Sequence, residues 1–595
     1  MTDNSNRRLL LVVLLAGIAL GIVMRWAFPS ADPPLARQTG ALWWDEAWSM
    51  GARNGVLYGE WQQDDYKPWV VCPLHTVIVE QALTWLGLNP FGLRSTAMMA
   101  GTLLVAFSVL QSRLLGLSWM AAALAAFMLA TSWSLTGFSK TMTLEPTLLF
   151  FFQLSITLIF AGERVARGRI ACYLLAGFAA GCATLCKTSG AAMTATMVAF
   201  LVLGPVVAEA RPWRWRVLRS FAYGAASLVA YGIGYALWVA TSRDTFVKLA
   251  LDEAFYRRAD TSLFMRAYKA VTWLDSEAFL SAPWLTIAVL LLLPLLWRAA
   301  KGVQAPMQRF GFWLAFAGAA FGVLLLIQID VPARRTVYIN TFLALLAAIA
   351  YDWMRNGIVR CEGAQLDTRL HQGAVLAALV IAGHVLSGWL VSPHGGLLAL
   401  LDPPSAAYVL FTMKWKVASK ASWLVFGMVF GWLLYRYRDA IWQRAPRVLG
   451  AAIGCQLALY IASSGLWLAR MTHTIEDGAR TIEETVGQDA RVLGADAAAF
   501  SFHNTTRPLF WAPKGYHFAN YDDAKIEAVY NPRYMVMTEL TWERLHVREY
   551  GDQPYAKSFN RELARFPIYE LHESLTLTSS ILVMERGRDQ ETGPQ

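Results

Sequence analysis

Two adjacent carboxylates, Asp45 and Glu46, lie among three tryptophans in the segment ALWWDEAWSM, residues 41–50. Carboxylates in such a setting can take a proton from a reacting hydroxyl or hold a divalent cation. The alternative is that the tryptophans form an aromatic belt at a membrane surface and that the acids are merely solvated beside it. A carboxylate at the bilayer centre costs roughly 2.5–3.5 kcal/mol, so both interpretations place the pair at the membrane–water interface.

A second acid, Glu145, occurs in the segment GFSKTMTLEP, residues 137–146. It precedes Pro146, and this order is typical of the first turn of a helix, where the macrodipole favours an acid and proline is tolerated. Taken alone, Glu145 is most simply a structural acid. Two loops that each place an acid against the membrane are harder to explain in this way, so we interpret both loops as candidates for one site.

The composition indicates a polytopic membrane protein. Of the 595 residues, 56% are hydrophobic and 25 are tryptophan, and the mean hydropathy is +0.38. The net charge of +10 comes from short basic clusters between apolar runs, which is typical of the positive-inside rule, so we expect no nucleic-acid partner. The six cysteines predict no disulfide framework, and no zinc, P-loop or dinucleotide motif occurs.

The apolar runs predict about 13 transmembrane helices, of which the first covers about residues 9–28. The others are expected near 94–114, 118–137, 146–162, 171–187, 189–208, 220–241, 283–298, 311–328, 336–353, 374–392, 421–436 and 448–468.

Basic clusters fall in alternate loops, on the side of Arg7 and Arg8, which predicts a cytoplasmic N-terminus. This alternation requires residues 74–88 to form an interfacial amphipathic helix instead of a span. External loops are then expected at about 30–92, 138–146 and 242–282, so both acid-bearing loops face the periplasm or the exterior.

The remainder of the chain, residues 471–595, has the composition of a soluble domain and follows the predicted membrane region, residues 1–470. The segment TIEDGARTIEETVG predicts a helix, and ARVLGAD, RYMVMTE and SSILVMER predict strands. An odd number of spans places this part on the side opposite the N-terminus. We therefore expect a small C-terminal α/β domain in the periplasm.

Four segments, WWDEAW, SKTMTLEP, GCATLCKTSG and PARRTVYINTFLALLAAIA, occur in an order that resembles the glycosyltransferases that use polyprenyl-phosphate sugars. That family includes the protein O-mannosyltransferases and the lipid A aminoarabinose transferases. The resemblance covers residues 9–353. It implies a GT-C fold in the bacterial inner membrane, a cavity at the external membrane surface, and a polyprenyl-phosphate-linked sugar donor.

The resemblance also implies roles for individual residues. Asp45 matches the catalytic acid of the family, Glu46 its neighbour, and Glu145 the acid of the second loop. Lys187 matches a lysine at the end of the fifth span. A basic-aromatic element that begins a later span is matched by Arg334, Arg335 and Tyr338.

Sugar transfer from a phosphate donor needs a base near the attacking hydroxyl and cations for the departing phosphate. We predict Asp45 as the general base of an inverting single displacement. Glu46 and Glu145 would orient the acceptor, tune Asp45 or help to hold a divalent ion. If such an ion binds, its expected ligands are Asp45 and Glu145. The predicted phosphate-binding residues are Lys67, Lys140, Lys187, Arg257, Arg258, Arg334 and Arg335.

His75 is expected beside the cavity, either in contact with substrate or packing and capping the interfacial helix. The sequence departs from the family pattern at two places. Close relatives often have an arginine where this chain has Trp48, and they often have a lysine before a Pro-Pro-Leu stretch where this chain has VVCPLHT. The acceptor is expected to be a lipid, a glycan or a protein. One alternative is a transporter or flippase for a lipid-linked substrate, but transporters usually place their charged groups near the middle of the bilayer, and here the acids lie outside it. The other alternative is a scaffold whose tail binds a partner.

Overall fold

The structure is a computed structural model of the chain. It describes residues 3–31, 49–61, 68–165, 167–203, 213–243, 246–247, 282–328, 337–359, 428–429, 431–469, 471, 473–494, 497–509, 531–538, 559–569 and 578–586.

The membrane part is helical. Its described helices are α1 Asp3–Trp26, α2 Met50–Tyr58, α3 Pro73–Leu86, α4 Pro90–Leu114, α5 Trp119–Ala130, α6 Trp133–Ser139, α7 Leu144–Arg164, α8 Arg169–Cys186, α9 Ser189–Leu203, α10 Trp213–Gly234, α11 Pro283–Gly302, α12 Pro306–Gln328, α13 Val337–Arg355, α14 Arg438–Gln443 and α15 Ala445–Ala469. Shorter 3₁₀ or π turns lie at Pro68–Val71, Tyr235–Val239 and Ala240–Ser242.

The C-terminal part contains helices and a sheet. Its elements are α16 Thr474–Val486, β1 Arg491–Leu493, α17 Ala497–Phe500, a 3₁₀ turn Ser501–His503, β2 Arg507–Leu509, β3 Tyr534–Thr538, β4 Phe559–Tyr569 and β5 Thr578–Arg586. The strand order is β2-β1-β3-β5-β4. Strand β1 pairs in parallel with β2 and β3, whereas β5 is antiparallel to both β3 and β4. The predicted helix and the three predicted strands thus lie in the segments named for them.

Eight of the described helices are long and apolar enough to cross a membrane, or nine if the bent pair α5 and α6 is one span. The expected count of 13 is therefore not confirmed. The expected span at 374–392 lies outside the described residues, as does half of 421–436.

The expected span at 118–137 is not one continuous helix. The structure divides it into α5 and α6, which are bent by 62°. The side chain of Ser132 accepts from the N–H of Leu135 at 3.3 Å, so a new helix is capped where the first one ends. The bend brings the end of α6 toward the loop that contains Glu145.

Helix α3 is the expected interfacial helix. It has 14 residues, too few to cross a hydrocarbon core of about 30 Å, and it is not among the candidate spans. Pro73 opens it and Gly87 follows its end with a φ of 89°. It packs against α2, α4 and α8, which places the first loop against the helix that ends at Lys187.

Candidate active site

Helix α7 begins at Leu144, and its first turn contains Glu145 and Pro146. The N–H groups of a first turn have no partner within the helix, so proline is tolerated there and a carboxylate is stabilised. Glu145 is nevertheless only 1% exposed. A solvated helix cap does not explain its position.

Lys187 lies where α8 ends and α9 begins. Its backbone is extended, with φ −166° and ψ 136°. Its N–H donates to the Ala183 carbonyl at 3.1 Å, and its carbonyl accepts from the Gly190 N–H at 2.9 Å. A Cβ at position 190 would lie 2.7 Å from the backbone nitrogen of Thr184, so the turn requires glycine. This tight turn holds Lys187 in the interior, where it is 8% exposed.

The ammonium group of Lys187 and the carboxylate of Glu145 form a buried ion pair between α8 and α7. Desolvation largely offsets the attraction in such a pair, and well-packed apolar residues are often as stable or more stable. Buried ionisable groups beside a specific charge partner are typical of functional sites. We therefore interpret this pair as part of a site.

His75 joins the ion pair to the first loop. It lies fully buried in the first turn of α3. Its Nδ1 is 3.3 Å from the hydroxyl of Thr147, two residues after Glu145, and its Nε2 is 3.3 Å from the hydroxyl of Ser49. Burial lowers the pKa of His75 to about 3, and the Lys187 ammonium contributes in the same direction. The imidazole is therefore neutral at physiological pH, with one nitrogen able to donate and the other to accept.

Ser49 connects this cluster to the predicted acid pair. It is fully buried and directly precedes α2. In the sequence it follows Asp45 by four residues and Glu46 by three. The cluster thus combines the first loop, the second loop and the end of α8.

Several predicted site residues lie outside the described residues: Asp45, Glu46, Lys67, Arg257, Arg258, Arg334 and Arg335. Their roles stay predictions. Among the described residues, no group of three or more His, Cys, Asp or Glu side chains could hold a metal ion. The alternative of a divalent ion depends on Asp45 and also stays a prediction.

Lys140 is buried, but its described partners are in a different place from the Lys187–Glu145 pair. Its ammonium group donates to the backbone carbonyls of Ala27 and Phe28, beyond the end of α1. It also lies over the ring of Trp467, 4.9 Å from the ring centroid. These contacts join α1, the second loop and α15.

Tyr338 is buried in the first turn of α13. Two residues later, the Asn340 amide lies 3.4 Å from the Ser132 hydroxyl and 3.5 Å from the Ser134 hydroxyl. The start of α13 therefore contacts the bend between α5 and α6.

Sequence reasoning missed Ser49, Thr147 and Arg53. The two hydroxyls give no signal of their own, because they matter only through the His75 ring between them. Arg53 looks like an exposed loop cation in the sequence but is fully buried.

The comparisons with known proteins concern the family and the fold. A model of the family of dolichyl-phosphate-mannose-protein mannosyltransferases matches residues 76–242, a range that contains both Glu145 and Lys187. Two crystal structures of ArnT from Cupriavidus metallidurans are similar to this chain, the apo form with a TM-score of 0.57 and the form bound to undecaprenyl phosphate with 0.55. Each is 16% identical, over 98% of this chain and 99% of ArnT. The chain therefore resembles this mannosyltransferase family over residues 76–242 and shares the fold of ArnT.

An identity of 16% with ArnT supports a shared fold and no finer statement. No curated protein sequence matches it significantly. The transporter or flippase alternative is not favoured, because the family model that matches describes mannosyltransferases.

Proposed function

We propose that this GT-C enzyme transfers a hexosyl or pentosyl group from a polyprenyl-phosphate donor to a hydroxyl group of a lipid, glycan or protein. The transfer takes place at the periplasmic face of the bacterial inner membrane. The observation that carries the proposal is the buried cluster in which Lys187, Glu145 and His75 converge from three separate segments. The undecaprenyl phosphate bound to ArnT supports this class of donor.

Asp45 is the proposed general base. It precedes Ser49 by four residues, and four residues span at most about 14 Å. The Asp45 carboxylate takes the proton of the acceptor hydroxyl while the hydroxyl oxygen attacks the anomeric carbon. The bond between that carbon and the phosphate oxygen breaks, the polyprenyl phosphate leaves with the electron pair, and the anomeric centre inverts. Glu46 orients the acceptor or tunes Asp45.

Lys187 is the proposed partner of the departing phosphate. Its ammonium group is a point charge in a largely dry site, where charge interactions are stronger than in water. Glu145 holds this ammonium group in place. The phosphate gains charge as the bond breaks, so a fixed cation stabilises the transition state more than the bound donor.

The remaining predicted cations, Lys67, Arg257, Arg258, Arg334 and Arg335, are further candidates for binding the phosphate. A divalent ion held by Asp45 and Glu145 would instead act as a Lewis acid toward the phosphate. Chelation before the assay distinguishes the two schemes, because only the second loses turnover.

The test is the release of polyprenyl phosphate by the purified full-length protein, supplied with a polyprenyl-phosphate sugar and a lipid extract. Asp45→Asn should lower turnover by at least about 100-fold, because it removes the base. Glu60→Gln is a matched control, since Glu60 is an exposed acid of the same loop. Full turnover in Asp45→Asn would remove the catalytic assignment, and equal losses in both variants would indicate damage to the loop.

A further inference from the structure

Helix α2, which follows the predicted acid pair, is bound by three consecutive backbone carbonyls of the C-terminal part. One terminal nitrogen of the Arg53 guanidinium donates to the carbonyls of Asn504 and Thr506, at 2.8 Å each. The hydroxyl of Tyr58, at the other end of α2, donates to the Thr505 carbonyl at 3.3 Å. Arg53 is fully buried in this contact.

The three carbonyls are held in place by side chains of the turn and by Glu483 of α16. The Asn504 side-chain oxygen accepts from the N–H of Thr506 at 3.1 Å and from its hydroxyl at 2.6 Å. The Glu483 carboxylate accepts from the N–H of Thr505 at 3.1 Å and from its hydroxyl at 2.7 Å. The Asn504 amide also donates to the Ala479 carbonyl at 2.9 Å. A turn bonded in this way is preorganised to receive the arginine.

An apolar contact surrounds the polar one. Met50 and Ala52 of α2 belong to a buried cluster with Ala498 and Phe502 of the C-terminal part. The same cluster includes Met142 of the second loop, three residues before Glu145. The C-terminal part therefore contacts α2 and shares a buried cluster with Met142 of the second loop.

Burial lowers the pKa of Arg53 to about 10, against smaller opposing contributions that include Tyr58 and Glu483. The guanidinium is thus still charged at neutral pH. A buried charge whose hydrogen bonds go to fixed carbonyl dipoles is tolerated only while those carbonyls stay in place. Movement of the C-terminal part and movement of α2 are therefore coupled.

We propose that Arg53 is a positioning residue, through which the C-terminal part fixes α2 and with it Ser49, the residue that contacts His75 in the buried cluster. This inference rests on the proposed function, because its effect on the rate passes through the cluster of Lys187, Glu145 and His75. A mutation far from the chemistry that misplaces the reacting groups by about 1 Å can cost about 100-fold in rate. The fixed turn is therefore expected to affect the rate of transfer without touching the substrate.

The experiment compares four full-length variants with the wild type: Arg53→Gln, Arg53→Lys, Tyr58→Phe and Arg533→Gln. Arg533→Gln is the matched control, because it removes an arginine of the same C-terminal part that pairs with Glu585 on the exposed side of the sheet. Three quantities are measured: kcat for the release of polyprenyl phosphate, the Kd for undecaprenyl phosphate, and hydrogen–deuterium exchange of the peptide that contains Met50–Tyr58.

Arg53→Gln should lower kcat about 10- to 100-fold, leave Kd within about twofold, and increase exchange in α2. Arg53→Lys should recover part of the rate, since one ammonium group can reach a carbonyl without reproducing the guanidinium geometry. Tyr58→Phe removes a single neutral hydrogen bond, so it should fold and lower kcat about twofold to fivefold. Arg533→Gln should match the wild type in all three quantities.

Faster exchange in α2 with an unchanged kcat would make the contact structural only and overturn the proposal. Unchanged exchange in Arg53→Gln would overturn it as well, whatever the rate. If Arg53→Gln does not fold, the same two criteria apply to Tyr58→Phe. A wild type without any turnover would contradict the proposed function, whereas the exchange data would still test whether the C-terminal part fixes α2.

Discussion

Replacing Lys187 by methionine removes the ammonium group from a carboxylate that is buried at the start of α7. Breaking a buried ion pair at one partner costs roughly 3–5 kcal/mol, because the other charge stays in a low-dielectric site. Glu145 has further interactions besides Lys187, so we expect the lower end, about 3 kcal/mol. Lys187→Met should therefore be clearly less stable than the wild type in detergent, and its turnover should be close to zero.

The informative variant is the double replacement Lys187→Met with Glu145→Gln. It removes both charges, so most of the lost stability should return, because no unpaired charge is left in the buried site. Turnover should not return, since the cation proposed for the phosphate is still absent. If the pair were only structural, the double variant would recover both stability and turnover. If the pair is catalytic, the double variant recovers stability alone.

The chain offers a matched control at the other end of the same helix. Glu163, near the end of α7, forms an ion pair with Arg219, and these side chains are 9% and 10% exposed. The two acids of α7 are about 27 Å apart along the helix axis, at roughly 1.5 Å per residue. Arg219→Met and its double variant with Glu163→Gln should change stability in the same pattern but leave the turnover of the folded protein unchanged.

The assay combines thermal unfolding of purified protein in detergent with turnover per folded molecule. Recovery of turnover in the double variant of Lys187 and Glu145 would refute the assignment of Lys187 to the phosphate. Equal loss of turnover in the Arg219 variants would show that any buried ion pair of α7 has the same effect, and the reasoning would fail.

Three further predictions follow from other contacts. Because the pKa of His75 is about 3 when folded and about 6.5 when unfolded, its neutral ring contributes stability fully above about pH 6.5, and this is lost as the pH falls toward 3. Between pH 6.5 and 5 the wild type should lose about 2 kcal/mol more than His75→Gln in thermal unfolding, and equal losses would contradict the burial of the ring. Lys140→Met should lower the unfolding temperature while leaving the Kd for undecaprenyl phosphate within about twofold, because its described acceptors are the carbonyls of Ala27 and Phe28; a Kd raised tenfold would instead support its predicted role at the phosphate. A reporter fused after Ala469 should be on the periplasmic side, because the C-terminal part binds α2 of the first external loop, and a cytoplasmic signal would contradict the topology.

Local sequence patterns predicted much of the fold. Pro73 and Gly87 delimit α3, and its short length separates it from the spans. The alternation of basic clusters requires the same assignment, so two independent arguments agree on this helix. The bend at Ser132 was missed, because a Thr-Ser pair within an apolar run is compatible with a continuous helix.

The candidate site was only partly predictable. The sequence supplied Glu145 and Lys187 as separate candidates, but nothing local in it predicts that they pair, since they are 42 residues apart and on different helices. Arg53 was not predictable for a different reason. Its partners are backbone carbonyls more than 450 residues away, and backbone acceptors leave no mark on residue type.

The central claim is that the two acid-bearing loops and Lys187 form one site for the donor phosphate. The most direct measurement is an experimental structure of the full-length protein with undecaprenyl phosphate bound. The account predicts the phosphate within hydrogen-bonding distance of the Lys187 ammonium group, with the Asp45 carboxylate facing the same cavity on the periplasmic side. A phosphate held elsewhere, or Asp45 on the cytoplasmic face, would contradict it.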